Sequence, residues 1–478
     1  MHMDHASLKA LYSSHGQAHI FGYFDSLSAG QQNSLLSQAA SIDLDELDRL
    51  VEFHVRNDAT VGMDYEKLEP APYLAHFRNG GDREHWIQAR DIGEQALRDG
   101  RVGVFTVAGG QGTRLGYDAP KGTFPVTPVT HASLFEVFAG KLRCAGRIYG
   151  KDLHWFIMTS EVNHDQTVRF FEQRNYLGLR PDNVHFFRQG LMPAVDFQGK
   201  LIMESPGSLA MSPDGHGGSL RALFRSGSTR IMRENGIDLL SYFQVDNPLV
   251  KCVDPYFIGF HIIGGSEMSG KALPKAYPDE KVGHFCNYDN KTVVVEYSDL
   301  PPALQQARLA DGSLKFSGGS IAIHVINVDF VERVGSGTDP DAHLPFHKAI
   351  KKIPYCAPDG SIVRPDKPNG VKFEMFVFDA LPFARNPILI ETLRSEDFSP
   401  VKNAEGVDSP ESCRKDQLRM AAAWLKEAGV NIETDESGLP EIRIEIDPAF
   451  AMDRETFLDQ WASLSKKPTI RNGLVISG

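Results

Sequence analysis

Residues 104–126 read VFTVAGGQGTRLGYDAPKGTFPV. A short apolar run, rich in β-branched and aromatic residues as a buried strand is, leads directly into Gly109, Gly110, Gly112 and Gly116, with Arg114 and Lys121 interleaved. Glycine lets backbone amides approach a ligand closely, and amides with cations beside them make a cradle for polyphosphate oxygens. Two well-known phosphate loops fail on spacing. A dinucleotide fingerprint begun at Gly110 and Gly112 puts Leu115 where its third glycine belongs, and a Walker A loop needs Gly-Lys before Ser or Thr, whereas Lys121 precedes Gly122. The stretch reads as a strand delivering a nucleotide-phosphate loop of another pattern.

Upstream, EHWIQARDIGEQALRDG has helical spacing and stops at Gly100, where the period changes to that of a strand. Downstream, the apolar segments LHWFIMTS (153–160), VHFFRQ and LLSYFQVD, the last ending at Asp246, alternate with helical patterns over 162–176 and 219–234. Strands apolar on both faces need helices on both sides. Two strand-like runs around the turn formers Asp289 and Asn290 predict a hairpin on the same sheet, which makes the sheet mixed. Short amphipathic helices fill the first hundred residues. After about residue 395 a helix in SPESCRKDQLRMAAAWLKEAG, capped by Ser409 or Ser412, precedes the alternating EIRIEIDPAF. The expected class is α/β: a mixed central sheet flanked by helices (101–395), a helical N-terminal portion (1–100) and a small α+β C-terminal domain (396–478).

The 478 residues suffice for two or three structural units, and 41% hydrophobic with 23% charged residues is ordinary globular composition. A formal charge of -12 disfavours a general nucleic-acid or anionic-membrane binder while leaving room for a local basic pocket. The five cysteines are far apart with no short metal-ligand spacing, no secretory leader is legible, and no stretch approaches the roughly 20 apolar residues of a membrane span. A cytoplasmic location is expected. No HExxH and no GxSxG occur, so zinc hydrolysis and an α/β-hydrolase are poorly supported, and Cys252 reads as a small buried residue.

Asp246 stands at a strand end, where an open α/β sheet places ligand groups; it reads either as a Mg²⁺ carboxylate or as a turn acid before Asn247 and Pro248. Gln189, after VHFFR, offers an acceptor and an amide donor to a pyrimidine edge, or is simply a strand-end glutamine. PDGHGG holds Gly215, Gly217 and Gly218 around His216, a second glycine loop able to admit a base or sugar closely.

Eight blocks in order, AGGQGTRLG with PKG, FFRQGLMPAV, SPDGHGG, FQVDNPLVKCVDPYFIGF, VVVEYSDLP, HKAIKKIPY, KFEMFVFD and FSPVKNAEGVDSP, make the chain resemble the eukaryotic-type UDP-sugar pyrophosphorylases, above all those forming UDP-N-acetylglucosamine. The resemblance implies a nucleotidyltransferase-like sheet and a Mg²⁺-dependent transfer of uridylyl from UTP to a sugar 1-phosphate, giving UDP-sugar and pyrophosphate. It implies that Ala108, Gly109, Gly110, Gln111, Gly112, Thr113, Gln189, Gly215 and Asp246 bind nucleotide, with Asp246 also holding the metal. Arg114, Lys121 and Lys402 would stabilise phosphate charge in the reaction. His216, Glu296, Ser320, Lys372, Phe376 and Phe378 would face the sugar, although alternating aromatics such as the last two equally suit a core. The acetylglucosamine enzymes carry AGNI.NHFF where this chain has SGGSIAIHVI, so Ser320 and Ile323 replace two amide side chains, and they have Asn in place of His216. Glucose 1-phosphate or galactose 1-phosphate is therefore the alternative acceptor, and a nucleotide-sugar-binding protein without turnover is the alternative class.

Overall fold

The computed structural model describes residues 4–57, 63–339 and 341–477, which divide into two compact units. One comprises Met1–Tyr65, Gln189–Gly218 and Leu344–Val377; the other comprises Glu66–Arg188, Ser219–His343 and Phe378–Gly478.

The larger unit is built on a ten-stranded mixed sheet. Its parallel half runs, in spatial order, Leu239–Gln244, Val102–Val107, Trp155–Thr159 and Val184–Arg188. The first three of these strands are almost wholly buried, as apolar runs covered on both faces must be, whereas Val184–Arg188 at the edge is only partly so. Gly318–Asn327 lies antiparallel on the other side of Leu239–Gln244 and also pairs with Gly283–Tyr288 and Met268–Pro274. The expected hairpin is Gly283–Tyr288 with Lys291–Val295, and its two turn residues, Asp289 and Asn290, both have positive φ (49° and 60°), the backbone hand that matches strand twist. Helix Leu134–Tyr149 begins in a capping box of Ser133 and Glu136, a device worth about 1 kcal/mol, and buries Leu134, Phe135, Phe138 and Leu142 in the main core.

Two expected helices differ in extent. The pattern over 162–176 becomes His164–Gln173, and the one over 219–234 breaks into Gly218–Arg225 and Ser228–Glu234, because Gly227 at φ 78° leaves the helical region between them. Ser409 is the cap of helix Pro410–Glu427, and the alternating segment yields Ile444–Ile446, paired in parallel with Leu474–Ile476. No described helix is long and apolar enough to cross a membrane. All five cysteines are unpaired; burial pushes the Cys252 thiol up to about 12, which removes it as a nucleophile.

The smaller unit gathers three stretches of chain. Helices His5–Ser14, Ala29–Ser41 and Leu44–Val51 send Leu8, Tyr12, Leu35 and Leu47 into a core shared with Val195, Leu201, Val371 and Phe373. A three-stranded antiparallel sheet, His347–Lys351, Gly370–Glu374 and Val195–Asp196, backs that core.

Burial pushes His261 and His284 down to about 4 in the larger unit. Both are therefore neutral at pH 7; His261 bonds Ser269 Oγ at 2.7 Å and Asn327 Oδ1 at 2.8 Å. Because the unfolded chain protonates these imidazoles first, near 6.5, stability rises with pH between about 4 and 6.5 and is flat from this source above it. Thermal melts should show the midpoint falling as pH is lowered through that window, with a shallower dependence in His261→Gln.

Candidate active site

In the larger unit the glycine loop leaves Val102–Val107 and is fixed from behind. Ala108 donates its N–H to the Met158 carbonyl at 2.8 Å, Gly112 to Ala119 at 2.9 Å and Lys121 to Gly110 at 3.1 Å. Asn163, fully buried, donates through Nδ2 to the carbonyls of Ala108 (2.9 Å) and Gly110 (3.2 Å) while its Oδ1 accepts the Ser160 N–H. Carbonyl oxygens would repel a phosphate, so engaging them internally suits the loop to an anion. Gly112 is required by packing, since a Cβ there would lie 2.8 Å from Tyr117, but a Cβ at Gly110 would meet nothing within 4 Å. Glycine at 110 thus keeps open a space that packing does not need. The Oε1 of Gln111 is buried with no hydrogen-bond partner among the described residues.

Asp246 follows Leu239–Gln244, whose register sets Gln244 beside Val107, so the acid and the glycine loop leave the sheet at the same end. This is also where the sheet changes from parallel to antiparallel, the usual position of a ligand crevice in such folds. Lys121 Nζ lies 3.8 Å from Asp246 Oδ2, both side chains being largely buried. The Asp246 carbonyl accepts the Val401 N–H at 2.8 Å, which brings the next residue, Lys402, to the same place. Lys402 Nζ is 4.0 Å from Asp408 Oδ2. Burial raises the Asp408 carboxyl above its ordinary value against the pull of Lys402, and the charge of Asp246 adds to the rise. Lys121, Asp246 and Lys402 therefore form one electrostatic group, whereas Arg114 is exposed on the turn Thr113–Leu115. Among the described residues no three His, Cys, Asp or Glu side chains cluster for a metal. One carboxylate, with the remaining positions left to phosphate oxygens and water, is a donor set that suits Mg²⁺.

On the antiparallel side of the sheet Ser320 is paired with Gly283, and a Cβ built on Gly283 would fall 3.6 Å from Glu296 Oε1 and 3.8 Å from the Ser320 Cβ. Glu296 and Ser320 are thus neighbours, and the Ser320 Oγ is buried with no partner among the described residues. Ala322, at φ 54°, marks the bulge where Gly318–Asn327 loses register with Met268–Pro274. Ile323 and Phe378 are buried.

In the smaller unit Gln189 donates Nε2–H to the Gly215 carbonyl at 2.9 Å, an amide assignment that leaves Oε1 as an acceptor. Gly215, at φ 82°, could carry no Cβ, which would lie 2.3 Å from the Met375 oxygen; Gly217 donates its N–H to that same oxygen at 2.8 Å. His216 Nδ1 accepts the Val377 N–H at 3.1 Å, and burial, helped by nearby His347, lowers the ring to about 4. The imidazole is therefore neutral with its proton on Nε2. Phe376 stacks between His216 and His347, at 5.3 Å and 4.6 Å between centroids, and Lys372 is half-buried on strand Gly370–Glu374.

Residues 78–420 match the family described as UTP–glucose-1-phosphate uridylyltransferase. The chain belongs to that family. It is 37% identical over 441 residues to a UDP-N-acetylhexosamine pyrophosphorylase-like protein 1 of Xenopus tropicalis, covering 89% of this chain and 85% of that one. It is 35% identical over 449 residues to the UDP-N-acetylglucosamine pyrophosphorylase of Saccharomyces cerevisiae, covering 89% and 92%. The solved uridine diphosphate N-acetylglucosamine pyrophosphorylase of Trypanosoma brucei superposes with a TM-score of 0.80 at 25% identity over 98% of each chain. This uridylyltransferase is a UTP-dependent sugar-1-phosphate pyrophosphorylase, with a mixed-sheet nucleotidyltransferase fold.

Two residues that brace the loops around the candidate site escape a reading by sequence. Asn163 and Asn247 act through backbone carbonyls far along the chain, and the only local signal is a polar residue in an otherwise apolar or turn setting. If Asn163 holds the phosphate loop in shape, Asn163→Ala should raise the KM for UTP about tenfold, the equivalent of roughly one good hydrogen bond. Initial rates of pyrophosphate release across a UTP series would measure it.

Proposed function

We propose that this pyrophosphorylase uses N-acetylglucosamine 1-phosphate as its acceptor. A phosphate oxygen of the sugar phosphate attacks the α-phosphorus of UTP, the bond to the β-phosphate bridging oxygen breaks, and pyrophosphate leaves carrying those electrons. No protein nucleophile is needed, only alignment and stabilised charge. The observation that carries the reading is the convergence of Lys121, Asp246 and Lys402 beside an open glycine loop.

In this scheme the amides of 109–113 hold the nucleotide phosphates, Lys121 and Arg114 face the departing pyrophosphate, and Lys402 faces the transferred phosphoryl group, with Lys372 in a supporting role. Mg²⁺ bound by Asp246 and phosphate oxygens would neutralise part of the triphosphate charge. Gln189 Oε1 can accept from the uracil N3–H, and His216 Nε2–H is a fixed neutral donor toward base or sugar. Glu296 and Ser320 meet sugar hydroxyls or the 2-substituent. The whole-length likeness to acetylglucosamine enzymes supports the N-acetyl acceptor.

One observation favours glucose 1-phosphate or galactose 1-phosphate instead. Ser320 and Ile323 stand where the acetylglucosamine enzymes resembled here carry amide side chains, and an unpaired buried hydroxyl suits a sugar hydroxyl as well as an amide. Purified protein with UTP, Mg²⁺ and each sugar phosphate in parallel, read as pyrophosphate release, separates the two. The expected kcat/KM for N-acetylglucosamine 1-phosphate is at least about tenfold the others; a preference of that size for glucose 1-phosphate overturns the proposal. In the same assay Lys402→Ala and Asp246→Asn should each lower kcat about 100-fold or more while leaving the thermal midpoint within a few degrees.

A further inference from the structure

Beneath Asp246, the two segments that carry the acid and Lys402 are joined by a side chain the reaction itself does not use. Asn247, buried, donates Nδ2–H to the Asp397 carbonyl at 2.6 Å and accepts at Oδ1 from the N–H groups of Ser399 (3.0 Å) and Leu249 (3.3 Å). On one side of it the Val401 N–H meets the Asp246 carbonyl at 2.8 Å; on the other the Lys251 N–H meets the Asp397 carboxylate at 3.1 Å. Residues 246–251 and 398–402 form no strand, so this amide replaces the ladder that a sheet would have supplied. A shorter side chain cannot span both groups. An aspartate keeps the acceptor but sets a carboxylate oxygen against the Asp397 carbonyl.

We infer that Asn247 is a positioning residue, whose amide fixes the separation between the Asp246 carboxylate and the Lys402 ammonium group. The inference rests on the uridylyl-transfer reading of this site, in which the transferring phosphate lies within reach of both charges. The neighbourhood is otherwise independently secured. Lys141 Nζ holds the carbonyls of Pro248 (2.8 Å) and Val250 (2.7 Å), and Lys271 Nζ holds the carboxylates of Asp254 and Asp397, each at 2.6 Å. Loss of the Asn247 amide therefore leaves the two segments joined only by the Val401–Asp246 and Lys251–Asp397 contacts, free to shift against each other without dissolving the core around them. Displacement of a reacting group by about 1 Å can cost on the order of 100-fold in rate.

The test compares Asn247→Ala, Asn247→Asp and Thr392→Val in the full-length enzyme, by steady-state kinetics and thermal melts. Thr392 donates its hydroxyl to the Asp397 carboxylate, so its variant disturbs the same buried cluster while removing no hydrogen bond between the two segments. Expected are a fall in kcat of about 10- to 100-fold in both Asn247 variants with the KM for UTP changed less than about threefold, and an unchanged kcat in Thr392→Val despite a lower melting point. A kcat within about twofold of the parent in the Asn247 variants overturns the inference, and so does a loss that appears only as raised KM. If Asn247→Ala does not fold, the isosteric Asn247→Asp supplies the same readout. A parent enzyme that turns over alongside unaffected Asn247 variants sinks the positioning role alone; a parent that releases no pyrophosphate from any sugar phosphate sinks the reading of the reaction as well.

Discussion

Lys271 places a charge where there is almost no water, 1% exposed, with Asp254 and Asp397 oxygens each 2.6 Å from its Nζ. A buried ammonium group is tolerated only if partners replace its hydration, and removing one partner of such a cluster costs about 3–5 kcal/mol. Burial pushes the Asp397 carboxyl up, yet Lys271 and Lys251 outweigh it and hold the group below the usual carboxylate range. Each partner belongs to a different piece of the larger unit. Asp254 caps helix Pro255–Ile263 through the N–H groups of Tyr256 and Phe257, Lys271 belongs to strand Met268–Pro274, and Asp397 begins the run to Lys402. A beneficial placement of the loops at the sheet end thus follows from an ionic requirement inside the core. Beside it, Lys251 pairs with Glu396 at 3.1 Å, and Glu396 also takes Arg78 at 2.7 Å, so the same logic extends outward.

Phosphoryl chemistry asks a protein for position rather than reactivity. Loops are poor at position because ordering a backbone residue costs about 1–2 kcal/mol. The structure meets this difficulty with buried side chains that grip backbone carbonyls: Asn163 for the glycine loop, Lys141 for 248–250 and Asn247 for 397–399. Each satisfies polar groups that irregular backbone would otherwise leave unpaired. The residues at the phosphate end can then be chosen for charge alone.

How far the sequence foretold this arrangement depends on whether the determinant was local. The strand into the glycine loop, the Asp289–Asn290 hairpin and the Ser409 cap are written in a few adjacent residues, and the periodicity exposes them. Asp246 could be placed at a strand end for the same reason. The smaller unit is different: three stretches separated by more than a hundred residues each share one core, and nothing in the pattern of 189–218 announces partners in 1–65. The break at Gly227 was a single glycine inside a helical pattern, a signal that equally accompanies an unbroken helix. Asn163, Asn247 and Lys271 stayed hidden because their meaning lies in what faces them after folding, whereas in the sequence they are one asparagine after a strand, one before a proline and one lysine in an apolar run.

The chain carries a formal charge of -12, yet the family to which it belongs handles a polyanion. Charges separated by more than about 8 Å are largely screened at physiological ionic strength, so the net value matters less than what lies within the first few ångströms. There the sign is arranged locally. Lys121 offsets Asp246 at 3.8 Å, Lys402 offsets Asp408 at 4.0 Å, and residues 108–117 of the glycine loop contribute amide dipoles with no acid among them. On the proposed reading, Lys121 and Lys402 are each held near an anion that a phosphate could displace, so neither has to stand unpaired before substrate arrives. A site of paired charges strains the fold less than a bare cationic pocket, and on the proposed reading it would discriminate by geometry, since only a ligand bringing negative oxygens to both lysines at once would exchange both pairs for better ones.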